Sequence, residues 1–151
     1  MTRIAALLCF TVLAALAMHR TNPSTLAICC AALVGLAEAG VFLLVLGFLM
    51  HEMNPPLRAS LGRTGVNDAV GRGFVLLVPF TVLALVADFV LGWDATQAFT
   101  SAGVMAAAGA LSADLMRQGA RKFAGFVLPM VGAIGFSMVW MVLSSALREI
   151  G

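Results

Sequence analysis

The chain has 151 residues, of which 62% are hydrophobic and 11% are charged, and its net charge is +2. A soluble domain carries about 45–50% apolar and about 25% charged residues, so this chain has too few polar side chains to cover a water-facing surface. The composition excludes a soluble enzyme, a disordered chain and a coiled coil, and the small net charge gives no basic surface for nucleic acid. It predicts a single domain, an all-α polytopic transmembrane helical bundle.

Five apolar segments are candidates for transmembrane helices, which need about 20 mostly apolar residues. In chain order they cover approximately residues 4–18, 26–50, 73–93, 96–116 and 126–147. The first segment would extend only about 22 Å, whereas the hydrocarbon core is roughly 30 Å thick. It would therefore need flanking residues or a locally thinner bilayer in order to span.

Residues 1–17 also have the pattern of a cleaved signal peptide. Arg3 precedes an apolar run that ends in Ala15-Leu16-Ala17, a possible A-x-A cleavage site. Cleavage would leave four spans and a mature chain that starts at Met18. We expect a retained first helix and five spans, and the later helices keep the same orientation in either case.

The connections between the spans carry further signals. Asn54-Pro55-Pro56 ends the second helix because proline cannot donate a helical hydrogen bond, and the polar segment 51–72 is expected to lie on the membrane surface. Pro79 and Pro129 fall inside the third and fifth spans and predict kinks. Asp94 follows an interfacial tryptophan and is expected to cap the fourth span.

The basic residues are distributed unevenly between the two sides of this topology. The N-terminal side carries seven of them, and the opposite side carries only Arg20 and Arg148. By the positive-inside rule, the N-terminus is expected in the cytoplasm and the C-terminus outside a bacterial inner (plasma) membrane. Besides Arg3, the basic residues of the N-terminal side are expected at the membrane surface, where they orient the chain or meet anionic lipid headgroups: Arg58, Arg63, Arg72, Arg117, Arg121 and Lys122.

Three acidic residues fall within the predicted spans, whereas no lysine or arginine does. They are Glu38 near the middle of the second span, Asp88 toward the outer end of the third, and Asp114 near the inner end of the fourth. All three are candidates for proton or ion handling, because acids inside a membrane usually face protein or water. Asp88 is expected to be solvated, and Asp114 to be satisfied by Arg117 or Arg121.

Glu38 is the one deeply placed ionisable group among them, and two interpretations of it stay open. Protonated, it can donate a hydrogen bond to a carbonyl or hydroxyl group and so hold helices or subunits together. Ionised, it would need an ion, or an arginine or lysine from another chain. The first state favours a structural role, and the second favours proton or cation handling.

Small residues at four-residue spacing predict faces where helix backbones approach closely. Glu38 lies beside the face in the second span and is therefore expected to face a helix rather than lipid. The fourth span has one such face and, separately, a pair at the same spacing, Gly103 and Ala107. The two complete faces are Ala31, Gly35 and Ala39, and Ala102, Ala106 and Ala110.

No group of residues has the spacing of a catalytic or metal-binding site. Cys9, Cys29 and Cys30 lie in apolar runs without a C-x-x-C pair. His19 and His51 end the first and second spans on opposite sides, so they cannot both bind one haem. We therefore predict no catalytic residues, no metal site and no cofactor.

Two short stretches resemble known membrane families. Thr21-Asn22-Pro23, followed by an apolar helix, is similar to a small helical subunit of proton-pumping NADH:quinone oxidoreductases. Leu36-Ala37-Glu38-Ala39 resembles the ion-binding helix of rotary ATPase proteolipids, although the glycine-rich partner helix of that family is missing. Neither resemblance assigns a role to a residue of this chain.

Size, short connections and one central acid favour a non-enzymatic subunit of a larger inner-membrane complex, such as one that transduces ions or electrons. Its partners would be the lipid bilayer and other membrane subunits. The first alternative is a channel or proton-coupled transporter that is built from copies of this chain and uses Glu38. The second alternative is a membrane-embedded enzyme that acts on a lipid or quinone.

Overall fold

The structure, a computed structural model, describes residues 2–150, and these residues contain α-helices and one short π-helix but no β-strand. The π-helix, Phe123–Val127, leads directly into the last α-helix. In chain order the α-helices are α1 (Thr2–Thr21), α2 (Thr25–Glu52), α3 (Pro55–Phe74), α4 (Leu77–Phe89), α5 (Thr96–Arg117) and α6 (Leu128–Leu147).

Within residues 2–150, five helical runs are long and apolar enough to cross a membrane. Three of them are α1, α2 and α5, and the other two are the joined runs Pro55–Phe89 and Phe123–Leu147. The predicted fold class is therefore confirmed. The first run has 20 residues, or about 30 Å, because the helix continues past the apolar stretch at both ends.

Both predicted proline kinks are present as breaks in helical hydrogen bonding. Pro79 has no N–H to donate to the carbonyl of Val75, and that carbonyl instead accepts from the N–H of Val78 at 3.0 Å, which tightens the turn between α3 and α4. Pro129 likewise leaves the carbonyl of Gly125 without its usual donor. The chain widens there into the π-helix, whose following residue, Leu128, donates to the carbonyl five residues back.

Most of the polar segment 51–72 is helical, and its position at the membrane surface stays a prediction. It is helical from Pro55 onward, with one break at Gly62, whose φ of 65° lies in the left-handed region. Val66, Val70 and Phe74 are fully buried. These residues repeat every four positions, so they form an apolar stripe that packs into the bundle while the charged side chains between them stay outside.

The centre of the bundle is a cluster of four phenylalanines from four different helices. The ring of Phe136 lies 4.7 Å from that of Phe10 and 5.0 Å from that of Phe42, and Phe42 is 5.4 Å from Phe74. Tilted and edge-on pairs at these separations are favourable ring geometries. The cluster joins α1, α2, α3 and α6 near the middle of the bundle.

At each end of the bundle, an asparagine side chain forms hydrogen bonds with the backbone of a part of the chain that is distant in sequence. Asn54, which is fully buried between α2 and α3, accepts the backbone N–H of Arg121 at 3.2 Å. At the opposite end, Asn22 donates to the carbonyls of Arg148, at 3.3 Å, and Ile150. The connections that precede α3 and α6 therefore share one end, which we call the basic end, and the α1–α2 turn shares the other end with the last residues of α6.

Asp94 does not cap α5, contrary to expectation. The residue at the cap position is Ala95, and no side chain there accepts a hydrogen bond from the first turn. The connection between α4 and α5 covers residues 90–95, four more than the two residues between the predicted spans, and passes through Gly92, whose φ is 69°. Because α5 begins at Thr96, its cap position falls on Ala95, and Asp94 lies one residue before it.

Candidate functional site

An apolar groove runs along the outside of the bundle between α2 and α6. Its volume is about 640 Å³. The two helices are antiparallel, since Gly132 near the start of α6 faces Phe42 and Leu46, while Gly35 faces Trp140 near its end. We call this surface the α2/α6 groove; its lining residues are Val34, Ala37, Glu38, Val41, Phe42, Val45, Leu46, Leu49, Leu128, Val131, Gly132, Phe136, Val139 and Leu143.

Glu38 is the one charged residue among those that line the α2/α6 groove, and it lies close to the midpoint of α2. Both of its carboxylate oxygens are buried, and neither has a hydrogen-bond partner among residues 2–150. Buried polar groups in folded proteins are nearly always hydrogen-bonded, because burying a polar group without a hydrogen-bond partner costs free energy. Glu38 is therefore a group that this part of the chain leaves unsatisfied.

The small-residue face of α2 packs against α1. Ala31 and Ala39 are fully buried, and a Cβ placed on Gly35 would lie 2.5 Å from the Cβ of Ala14. Only glycine allows the backbones of α1 and α2 to approach this closely. This contact fixes one side of α2 inside the bundle, so Glu38, one position before Ala39, is turned toward α6 and the groove.

The face of α5 formed by Ala102, Ala106 and Ala110 is not packed within the described residues, so close helix contact at this face stays a prediction. Ala102 is exposed and the other two are only half-buried. Gly103 and Ala107, at the same spacing one position later, are buried instead. The large apolar residues of α5 decide the orientation, because Val104, Leu111 and Leu115 lie on that side and are fully buried.

Asp88 is buried and ion-paired rather than solvated. It is 5% exposed, its carboxylate accepts from Nε of Arg20, and its backbone carbonyl accepts from Nη2 of the same arginine at 2.8 Å. The sequence identifies Arg20 only as a marker of orientation. The predicted topology places Arg20 and Asp88 toward the same side of the membrane, which is the signal that could have suggested the pair.

Asp114 has a different partner from the one expected. Its carboxylate lies 3.9 Å from Nη2 of Arg72, and both side chains are about half exposed. Arg117, one of the two predicted partners, uses its Nε to donate to the carbonyl of Ala113 in its own helix. The contact joins α3 to α5, whereas the sequence analysis considered only the basic residues that closely follow Asp114 in the chain.

The six predicted surface residues are all exposed and lie at the basic end, on α3, at the last residue of α5 or between α5 and α6: Arg58, Arg63, Arg72, Arg117, Arg121 and Lys122. One of them, Arg58, lies 3.7 Å from Glu52, which also contacts His51 at 2.8 Å. Arg3 behaves differently: it reaches into the bundle and donates from Nε to the carbonyl of Asn67 at 3.1 Å. Arg3 is therefore a packing residue that the sequence did not single out.

Residues 2–150 bring no three histidine, cysteine, aspartate or glutamate side chains together as a possible metal-ligand set. Cys9, Cys29 and Cys30 are all free thiols. The two histidines belong to different ends: His19 lies 6.3 Å from the ring of Phe89, and His51 contacts Glu52.

No protein-family model, no curated protein and no solved structure matches this chain. The function therefore has to be inferred from the residues and surfaces of the chain itself. Among these, the α2/α6 groove with Glu38 is the surface that combines an outward-facing apolar lining with an unsatisfied polar group.

Proposed function

We propose that the chain is a small subunit of a larger membrane assembly and that a transmembrane helix of another chain packs in the α2/α6 groove. The observation that carries this proposal is the carboxyl group of Glu38, which has no hydrogen-bond partner among residues 2–150. Its oxygens are buried within the chain, so the side chain would turn into the groove to meet a hydroxyl, amide or basic group that a neighbouring helix brings to this depth. Such polar contacts are a common source of helix association in membranes.

The shape of the α2/α6 groove supports a helix as its occupant. Val41 and Val131 on its two walls are 61% and 60% exposed, so they offer apolar contact area. Gly135 is exposed, lies on the same face of α6 as Val131, and has no atom within 4 Å of the position where its Cβ would be. A small residue on an otherwise uncovered helix face allows another backbone to approach closely.

A second candidate function follows from the same carboxyl group. If Glu38 exchanges a proton or binds a cation, the assembly would be a channel or a proton-coupled transporter. Aspartate and glutamate side chains at this depth often belong to ion pathways. The two functions differ in whether Glu38 must ionise, which the last experiment of the Discussion tests.

Photo-cross-linking tests whether a protein occupies the α2/α6 groove. With a benzophenone side chain in place of Val131, we expect irradiation of native membranes to give one discrete adduct with another membrane-spanning polypeptide. The control places the same group at Val82 on α4, which is 52% exposed and lies outside the groove. It should give no such adduct.

Adducts with lipid alone at both positions would contradict the proposal. A second measurement separates the two kinds of partner: mass spectrometry of the adduct identifies either a different chain or a second copy of this one. Native electrophoresis in a mild detergent should then show the same partner without cross-linking.

We also propose that the chain lies in a bacterial inner membrane with its basic end in the cytoplasm. Seven of nine basic residues belong to that end, and cytoplasmic connections carry such an excess. A reporter enzyme that is active only outside the cytoplasm should be active when fused after residue 150 and inactive when inserted at Gly62, where the helix is already broken. Activity in the opposite pattern would show the inverted orientation.

A further inference from the structure

A second cavity, which has no part in the proposed function, opens at the end of the bundle opposite the basic end. Its volume is about 540 Å³, and α1, α5 and α6 form its walls together with the turn before α5. Its lining includes polar side chains as well as apolar ones, whereas the lining of the α2/α6 groove is almost entirely apolar. We call it the Arg148 cleft; its lining residues are Ala17, Thr21, Asp94, Thr96, Gln97, Met141, Val142, Ser144, Ser145 and Arg148.

The Arg148 cleft contains one acidic and one basic side chain. Asp94 and Arg148 are both exposed, and neither forms an ion pair with another of residues 2–150. A cavity that presents both charges without pairing them is complementary to a molecule that itself carries a cation and an anion.

The N-terminus of α5 adds a second group that favours an anion. No side chain caps this 22-residue helix, so the positive end of its dipole is available. Thr96, its first residue, lines the cleft, is 2% exposed, and has a hydroxyl group without a hydrogen-bond partner among the described residues. Arg148, the start of α5 and the Thr96 hydroxyl therefore supply the anion-binding part of the cleft.

Two serine hydroxyl groups that line the cleft can accept hydrogen bonds from a ligand. Ser144 and Ser145 donate their hydroxyl hydrogens within α6, to the carbonyls of Met141 at 3.0 Å and Val142 at 2.7 Å. Their oxygens remain able to accept hydrogen bonds. Together with the carboxylate of Asp94, they suit an ammonium group.

One wall of the Arg148 cleft is apolar and open to the hydrocarbon region. Met141 and Val142 are 58% and 68% exposed on the outer face of α6. At the same end, Trp93 is 62% exposed, in the position that tryptophan favours at a membrane surface. In the proposed membrane orientation, the cleft would connect the headgroup level of the bilayer to its acyl-chain level.

We propose that the Arg148 cleft binds the headgroup of a zwitterionic phospholipid. The phosphate is held by Arg148, the Thr96 hydroxyl and the start of α5, and the ammonium group is held by Asp94. The acyl chains lie over Met141 and Val142. This site does not require that a helix occupy the α2/α6 groove, and the two proposals can fail independently.

Native mass spectrometry of the full chain tests the site. The protein in detergent receives an equimolar mixture of phosphatidylethanolamine and phosphatidylglycerol with identical acyl chains; both carry the phosphate, but the first has an ammonium group where the second has an uncharged glycerol. We expect one phosphatidylethanolamine to be retained about two to five times better than phosphatidylglycerol, the range of one partly exposed ion pair. Asp94→Asn should abolish this preference, and Arg148→Gln should weaken the binding of both lipids about tenfold.

Thr96→Val separates binding from folding. The Thr96 hydroxyl forms no hydrogen bond with the described residues, so this substitution of nearly equal shape should leave the melting temperature in detergent unchanged while both lipids bind more weakly. The matched control is Thr100→Val, one turn along α5. Thr100 bonds to the carbonyl of Thr96 at 2.8 Å and does not line the cleft, so its loss should not alter lipid binding.

Soluble phosphoethanolamine distinguishes a lipid from a free headgroup as the natural ligand. We expect it to displace the lipid only at a large excess, because it lacks the acyl chains that contact Met141 and Val142. Three results would overturn the proposal: equal retention of both lipids by the unaltered chain, unchanged retention in Arg148→Gln, or binding of phosphoethanolamine without binding of either lipid.

Discussion

Replacing Arg20 by glutamine is expected to lower the free energy of unfolding by about 2–3 kcal/mol, more than replacing Asp88 by asparagine. The side chain of Asp88 is 2% exposed, so without Arg20 its carboxylate would be buried and uncompensated. The side chain of Arg20 is 33% exposed and can turn toward water or headgroups when Asp88 is neutralised. Because Asp88 is more deeply buried than Arg20, we expect Arg20→Gln to lower the free energy of unfolding more than Asp88→Asn does.

The measurement is reversible unfolding in mixed micelles, followed by tryptophan fluorescence. The double variant, with both substitutions, should be more stable than Arg20→Gln alone because it contains no unpaired charge. Asp114→Asn is the control, since Asp114 lies 3.9 Å from Arg72 with both side chains about half exposed and should cost less than about 1 kcal/mol. Equal losses in Asp114→Asn and Arg20→Gln would show that the Arg20–Asp88 pair does not stabilise the bundle.

The fold class could be predicted from composition because the apolar runs are long and uncharged. The helical nature of segment 51–72 could not, since its buried stripe of Val66, Val70 and Phe74 is interrupted by charges that dominate any average over the segment. A helix that is half polar by composition still packs when its few apolar residues share one face.

Neither polar contact was predicted, although the predicted topology allowed both. Arg20 and Asp88 lie near helix ends on one side of the bundle. Arg72 directly precedes the third predicted span and Asp114 lies near the inner end of the fourth, so these two residues share the other side. Placing the spans shows which residues share an end of the bundle, whereas choosing the pairs among them needs the rotation of each helix.

Glu38 shows this limit most clearly. Its depth follows from counting residues, but apolar residues surround it on every face of α2, so the sequence does not indicate which face is covered. The close contact at Gly35 with Ala14 decides the rotation of α2. That contact directs Glu38 to the α2/α6 groove, where its role can be tested.

Two substitutions at Glu38 separate a structural contact from ion handling, and their expected effects on activity are the largest for this chain. Glu38→Gln keeps the shape and the hydrogen-bonding capacity but cannot ionise, whereas Glu38→Leu removes both. If Glu38 only bonds a partner helix, Gln should leave assembly nearly unchanged and Leu should cost about 0.6–2 kcal/mol of helix association. If it carries protons or binds a cation, Gln should abolish flux while assembly survives.

Assembly and flux have to be measured on the same preparations, by native electrophoresis and by ion flux in liposomes, because a lost subunit would also lose activity. Val41→Leu is the matched control: Val41 lines the same groove one turn from Glu38 and is 61% exposed, so a slightly larger apolar side chain there changes no polar group. Since the oxygens of Glu38 have no partner among residues 2–150, Leu should not destabilise the isolated chain, and any loss with Leu must arise at the interface. Unchanged assembly and flux in both Glu38 variants would contradict both proposed roles of this residue.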